Sequence, residues 1–204
     1  MYDGMEMEDP ARISAAHRRL RDTMLFWMPE EGEYGSTLLH GFTAARMDHA
    51  GYGAVAGPSI GLVVQGSRYI EAAGKEYRCE KGSIFLHEEK FDGKSWIIPA
   101  SPTEPFLSIN LEIDHRIIRE LLKQEHSYCS PCVHTADQVA ICSDIGLLDA
   151  YLRLMKLIST PELFIFIAPI IIKEIHYRML MSSLGAVFLN PSTTHFECCD
   201  CSTQ

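Results

Sequence analysis

The chain has 204 residues, enough for one domain or two small ones, and its 47% apolar and 22% charged residues suit a folded globular protein rather than a disordered or fibrous one. Its formal net charge of -9 repels a phosphate backbone, and the short basic cluster Arg18, Arg19 and Arg21 reads as a solvated helix face rather than a nucleic-acid contact. The opening MYDGMEMEDP is acidic where a secretory leader is basic, and the longest apolar run, Leu163 to Ile172, is about half a bilayer span, so a cytoplasmic chain without membrane contact is expected and that run is read as buried.

The first helix is expected from about Asp9 to Met28. Asp9 can cap it, Pro10 suits the first helical position, and Ile13, Leu20, Met24 and Trp27 recur at helical spacing. Glu30 to Gly35 breaks this pattern, so residues 1–35 read as a helix and a linker. From 36 to 113 the period becomes that of strands. Runs at 60–65, 67–72, 75–80, 83–87, 94–99 and 106–113 are rich in β-branched and aromatic residues and are separated by single glycines or short polar breaks. Strands at this close spacing argue an antiparallel sandwich or barrel. The last run alternates: Leu107, Ile109, Leu111 and Ile113 share one face, and Ser108, Asn110 and Glu112 the other.

Helical periodicity returns over 114–187. Asp114 caps a segment to about Gln124, with Ile117, Ile118, Leu121 and Leu122 in one stripe. Residues 125–142 read as a loop. Asp144 caps a helix in which Ile145, Leu148, Leu152 and Met155 recur at i, i+3, i+7 and i+10. Thr160-Pro161-Glu162 opens the apolar segment, and Pro169 is expected either to kink it or to start a new helix. Residues 188–204 form an irregular tail.

Seven cysteines at irregular spacing are expected to be free thiols rather than a disulfide frame. Cys129 and Cys132, flanked by His126 and His134, have the spacing of a zinc clip, because such a turn brings two sulfurs to one tetrahedral centre. The same spacing suits a redox pair, and a loop of free thiols is the leading reading, so no metal is assigned there. The tail cluster His195, Cys198, Cys199 and Cys201 is read in the same way.

Several runs in this order resemble the N-terminal, effector-binding and dimerising domain of AraC-family transcription regulators. They are Gly57 to Gly66 (GPSIGLVVQG) with Arg68 after it, Tyr77 to Leu86 (YRCEKGSIFL), Glu104-Pro105-Phe106 leading to Asp114, and Ala168 to Leu180 (APIIIKEIHYRML). The resemblance covers about residues 36–187. It implies an α+β fold: a cupin-like antiparallel β-barrel or sandwich over 36–113, followed by a helical dimerisation region over 114–187.

The resemblance also implies a small-molecule effector inside or at the mouth of the barrel, a space suited to packed side chains or one small ligand. Its candidate contacts are Tyr69, Tyr77, His87, Trp96 and Asn110. A homodimer is expected, with Ile145, Leu148, Leu152 and Met155 as its seam and Ile171, Ile175, Tyr177 and Leu180 as a second apolar face. A full-length relative is a possible further partner through the same seam. Family members continue into a domain of two helix-turn-helix units, and residues 187–204 hold no such pattern, so this chain is not expected to bind DNA directly. No cofactor and no catalytic residue are assigned. The alternative is a metal-dependent cupin enzyme. It would draw on His40, His49, His87, Glu88 and Glu89, but the paired His-x-His that puts two ligands on one strand face is missing.

Overall fold

The computed structural model describes residues 9–53, 58–72, 75–87, 94–124, 139–141, 144–182 and 184–185. Helix α1 (Pro10–Trp27) begins where the sequence places it, with an Asp9 carboxylate oxygen accepting the Ala11 N–H at 2.9 Å. Ten strands follow or intervene among the described residues: β1 (Gly32–Gly35), β2 (Phe42–Met47), β3 (Gly51–Tyr52), β4 (Ser59–Gln65), β5 (Ser67–Ala72), β6 (Lys75–Cys79), β7 (Ser83–His87), β8 (Lys94–Ile98), β9 (Phe106–Glu112) and β10 (Val139–Ile141). Helices α2 (His115–Gln124), α3 (Ile145–Leu157) and α4 (Pro161–Leu180) complete the chain.

Strands pair antiparallel into two sheets. One runs β1-β2-β9-β4-β7-β10 and the other β3-β8-β5-β6. The chain crosses from the first sheet to the second at Gly66, whose φ of +79° is the left-handed conformation that favours glycine. A Cβ there would also lie 2.7 Å from the Ile98 carbonyl oxygen, so the turn admits glycine on two separate grounds.

The central strand β4 of the first sheet is buried on both faces, and the alternation of the sheet's strands decides what each face meets. Ile60, Leu62 and Val64 of β4, Ile84 and Leu86 of β7, and Leu107, Ile109 and Leu111 of β9 join Leu20 and Met24 of α1 and the inner residues of α3 and α4 in the larger core. Val63, Phe85 and Phe106 point the other way. They meet Ile70, Cys79 and Ile97 of the second sheet in a smaller core between the sheets. The fold is therefore α+β as expected: two facing antiparallel sheets, then helices that cover the outer face of one of them.

Polar ties fix the helices. Asp144 caps α3, accepting the Leu147 N–H at 3.2 Å, and takes both 3.0 Å contacts from Arg178 Nη1 on α4. Arg153 on α3 reaches Glu174 on α4 at 2.6 Å, and Lys173 on α4 reaches Glu120 on α2 at 2.6 Å. His176 on α4 is buried. Its Nδ1–H donates to the Ile172 carbonyl at 2.8 Å, while its Nε2 accepts the Asp114 N–H at 3.0 Å. Those two bonds define one neutral tautomer.

Four departures from the sequence reading have physical reasons. The 30–35 break contains strand β1, in which two glycines hide a segment that pairs with β2. Strand β2, FTAARM, has little intrinsic β-propensity and exists because β9 pairs with it over six residues. Within the expected 125–142 loop, β10 pairs with β7. Helix α4 runs through Pro169 as one element, because a missing N–H deletes one hydrogen bond and the packed turns on both sides hold the rest.

Candidate functional site

The inward-facing residues of the two sheets meet between them. On the first sheet, Asn110 stands opposite Thr43 on one side and Gly61 on the other, and Gly61 stands opposite Phe85, so these four form one row. A Cβ on Gly61 would fall within the Phe85 ring, so the glycine is what lets that ring lie across β4. On the second sheet, Ser95, Ile70 and Tyr77 form a row, and Ile97, Arg68 and Cys79 form the next.

Arg68 joins the two sheets. Its side chain is buried, its Nε donates to Ser95 Oγ at 2.6 Å, and its guanidinium sits 5.0 Å from the Phe85 ring centroid. Burial lowers its pKa to about 10, while Cys79 and Glu33 pull the other way. It remains a cation at neutral pH. Burial pushes the Cys79 thiol up to about 12 against the opposing pull of Arg68. Cys79 is thus a protonated, unreactive thiol beneath the arginine.

The five residues expected to contact an effector divide. Tyr77 packs partly buried against the inter-sheet core, and Asn110 lies half-buried on the inward face of β9. His87 ends β7 opposite Ser59, and its side chain is outside the described set. Tyr69 and Trp96 are on the outer face of the second sheet instead. Their neighbours in sequence, Arg68, Ile70, Ser95 and Ile97, take the inward positions, and strand alternation sends Tyr69 and Trp96 outward. There Tyr52, Trp96, Tyr69 and Arg78 stand side by side across four strands. Tyr52 meets Trp96 edge-on at 4.9 Å, and Arg78 lies 5.7 Å from the Tyr69 ring.

Most of the residues expected to form a dimer seam lie in the core. Leu148, Leu152 and Met155 are 1–3% exposed and belong to the core beneath α1 and α4, so they offer no face to a second chain. Ile145 is half-buried at the start of α3. Of the second face, Ile171 and Ile175 are buried and Tyr177 is exposed. The Leu163–Ile172 run, read as buried, is buried only at Phe164, Ala168 and Ile171. Leu163, Phe166, Ile167, Ile170, Tyr177 and Met181 form an exposed apolar stripe on the opposite side of α4, with Phe166 at 73% and Ile170 at 65%. A helix with core on one side and apolar residues on the other produces no simple amphipathic pattern, which is why the stripe escaped the sequence reading.

His40 and His49 lie on the surface, each near a single carboxylate: Glu112 at 3.7 Å and Glu31 at 3.3 Å. Among the described residues no three His, Cys, Asp or Glu side chains converge on a point that could hold a metal ion. Glu88, Glu89, the loop with His126, Cys129, Cys132 and His134, and the tail cysteines are outside the described residues. No described helix is long and apolar enough to cross a membrane.

Residues 39–187 match the profile of a family described as AraC-type transcriptional regulator N-terminus. Among solved structures, an apo form of ToxT from Vibrio cholerae shares 12% identity at a TM-score of 0.47, over 74% of this chain and 59% of that one. The AraC-like transcriptional activator CuxR shares 13% identity at a TM-score of 0.37, over 70% of this chain and 48% of that one. The chain thus spans less than two-thirds of either protein. No curated protein sequence matches it.

Proposed function

Because this chain belongs to the family of AraC-type transcriptional regulator N-termini, we propose that it is an effector-sensing and dimerising module rather than an enzyme. The observation that carries the reading is the two-sided first sheet. Its outward face is apolar and sealed by helices, while its inward face carries Thr43, Ser108 and Asn110 towards a second sheet that supplies Arg68 and Tyr77. A folded core has no need of polar groups there, and a small-molecule site is an apolar space with a few convergent polar groups. Thr43, Asn110 and Tyr77 are only partly buried, so solvent reaches these polar groups.

Dimerisation is supported by the exposed stripe on α4. Contiguous exposed apolar residues of this kind mark an interface, and two-fold pairing of like chains is the commonest use of one. The proposed seam is therefore Leu163, Phe166, Ile170 and Tyr177, not α3. A full-length relative carrying the same stripe would fit it as well as a second copy does.

A thermal-shift screen of metabolites tests the sensing half. A bound effector raises Tm with ln(1 + [L]/Kd). Asn110→Ala and Tyr77→Phe are expected to weaken that response, whereas Trp96→Ala, on the outer face, is expected to leave it intact. A response lost in Trp96→Ala but unchanged in the other two would move the site to the outer aromatic row.

A further inference from the structure

Helices cover the far face of the first sheet, whereas the outer face of the second carries Tyr52, Trp96 and Ile98 at 74%, 40% and 36% exposed. Strand register sets three rows across that outer face. The middle row is Tyr52, Trp96, Tyr69 and Arg78, one residue from each of β3, β8, β5 and β6. On one side of it stand Lys94, Glu71 and Glu76, all exposed. On the other side stand Ile98 and Ser67, with Glu80 beside them reached by Arg78 at 2.8 Å. Contiguous exposed aromatic rings beside an arginine are the make-up of a protein interface rather than of a solvated face.

We propose that this face is a second, weaker self-association surface, occupied by the same face of another copy with the two-fold axis running along the strands. The charge pattern selects both the occupant and the axis. Such an axis reverses the strand order and keeps each residue at its height, so β8 meets β5 of the second copy and β3 meets its β6. Lys94 then faces Glu71 of the second copy while Glu71 faces its Lys94, a checkerboard of alternating charge about the axis. Trp96 faces Tyr69 of the second copy, and Arg78 faces the Tyr52 ring as a cation over an aromatic. A two-fold axis across the strands would instead set Lys94 on Ile98 and Glu76 beside Glu80, bringing carboxylates together. Stacked sheets align within about 30°, so their twist displaces the edges more than the central β8 and β5 pairs. Few residues and a charged surround put this interface at the weak end of the range. It is independent of the α4 seam, which lies beyond the first sheet on the other side of the molecule.

Sedimentation equilibrium of the full 204-residue chain, from micromolar to near-millimolar concentration, tests this. The parent is expected to double in mass over that range, beyond whatever state it holds at micromolar concentration. Phe166→Glu with Ile170→Glu should show the same doubling from its own starting mass, so loss of the α4 seam and loss of this surface read separately. Trp96→Ala should remove the step. Glu71→Lys sets a lysine against Lys94 of the second copy and should weaken the step about tenfold or more, and adding Lys94→Glu should restore it. All these positions on the second sheet are exposed, so the variants are expected to keep the fold. Absence of the step, a step unchanged by Trp96→Ala or Glu71→Lys, or a loss in Glu71→Lys that Lys94→Glu does not restore overturns the proposal. A parent that lacks the step but whose Trp96 emission shifts with added cellohexaose gives the aromatic row to a glycan and overturns it likewise.

Discussion

His17 on α1 is buried, its Nδ1 has no hydrogen-bond partner among the described residues, and its Nε2 faces the turn at Gly82. Burial, helped by the charge of Lys81, lowers its pKa from 6.5 to about 4. The sign follows directly: between those values the unfolded chain takes up a proton that the folded chain refuses. Stability is then lost as pH falls from about 6.5 to 4, by up to about 1.4 kcal/mol per pH unit. His176, also lowered by burial, adds to the same slope. Urea unfolding of His17→Leu at pH 7 and pH 5 is expected to show a smaller difference than the parent. Equal differences would mean that His17 is not the group responsible. Gly66 makes a sharper demand. Gly66→Ala forces a side chain into the left-handed turn and against Ile98, and is expected to cost about 1–3 kcal/mol by urea denaturation. Gly35→Ala, where a Cβ meets only the Phe42 oxygen at 3.9 Å, is the control and should be near neutral. At this scale the sequence marked the Gln65-Gly66 turn and Asn110, but it named Arg68 only as part of a motif. The parity it shares with Ile70 on one strand was the available signal for its inward position. Tyr69 and Trp96 were misplaced because aromatic character says nothing about which face of a strand is inside.

Helices α3 and α4 differ in what their apolar residues do. Stripe spacing on α3 suggested a seam between chains, yet α3 is enclosed by α1 and α4, and its Leu148 and Leu152 are core. Leu148→Glu with Leu152→Glu buries two unpaired charges and is expected to abolish the folded circular-dichroism signal at 25 °C. Phe166→Glu with Ile170→Glu places the same charges on the exposed side of α4 and is expected to keep it. The reverse outcome would mean that the burial of the two helices has been exchanged. Four helices and six strands were legible because capping residues, β-branched runs and glycine breaks act locally. Strands β1, β2, β3 and β10 were not, because they are short, or made of residues with weak strand preference, and exist through pairing with distant partners.

As a whole the molecule stacks three layers: the second sheet, the first sheet and the helices, with the proposed effector space between the first two and the proposed seam on the far side of the third. β9 joins them. It carries Asn110 inward, turns into α2 at Asp114, and there is tied to α4 through His176 and, further along α2, through Glu120 and Lys173. These contacts link β9 and α2 to the helix that bears the apolar stripe. The central claim is that this stripe pairs two copies of the chain, and sedimentation velocity at micromolar concentration measures it directly. The account predicts a species of twice the 23.0 kDa chain mass that becomes a monomer in Phe166→Glu with Ile170→Glu. A monomeric parent, or a dimer that survives both substitutions, would contradict it.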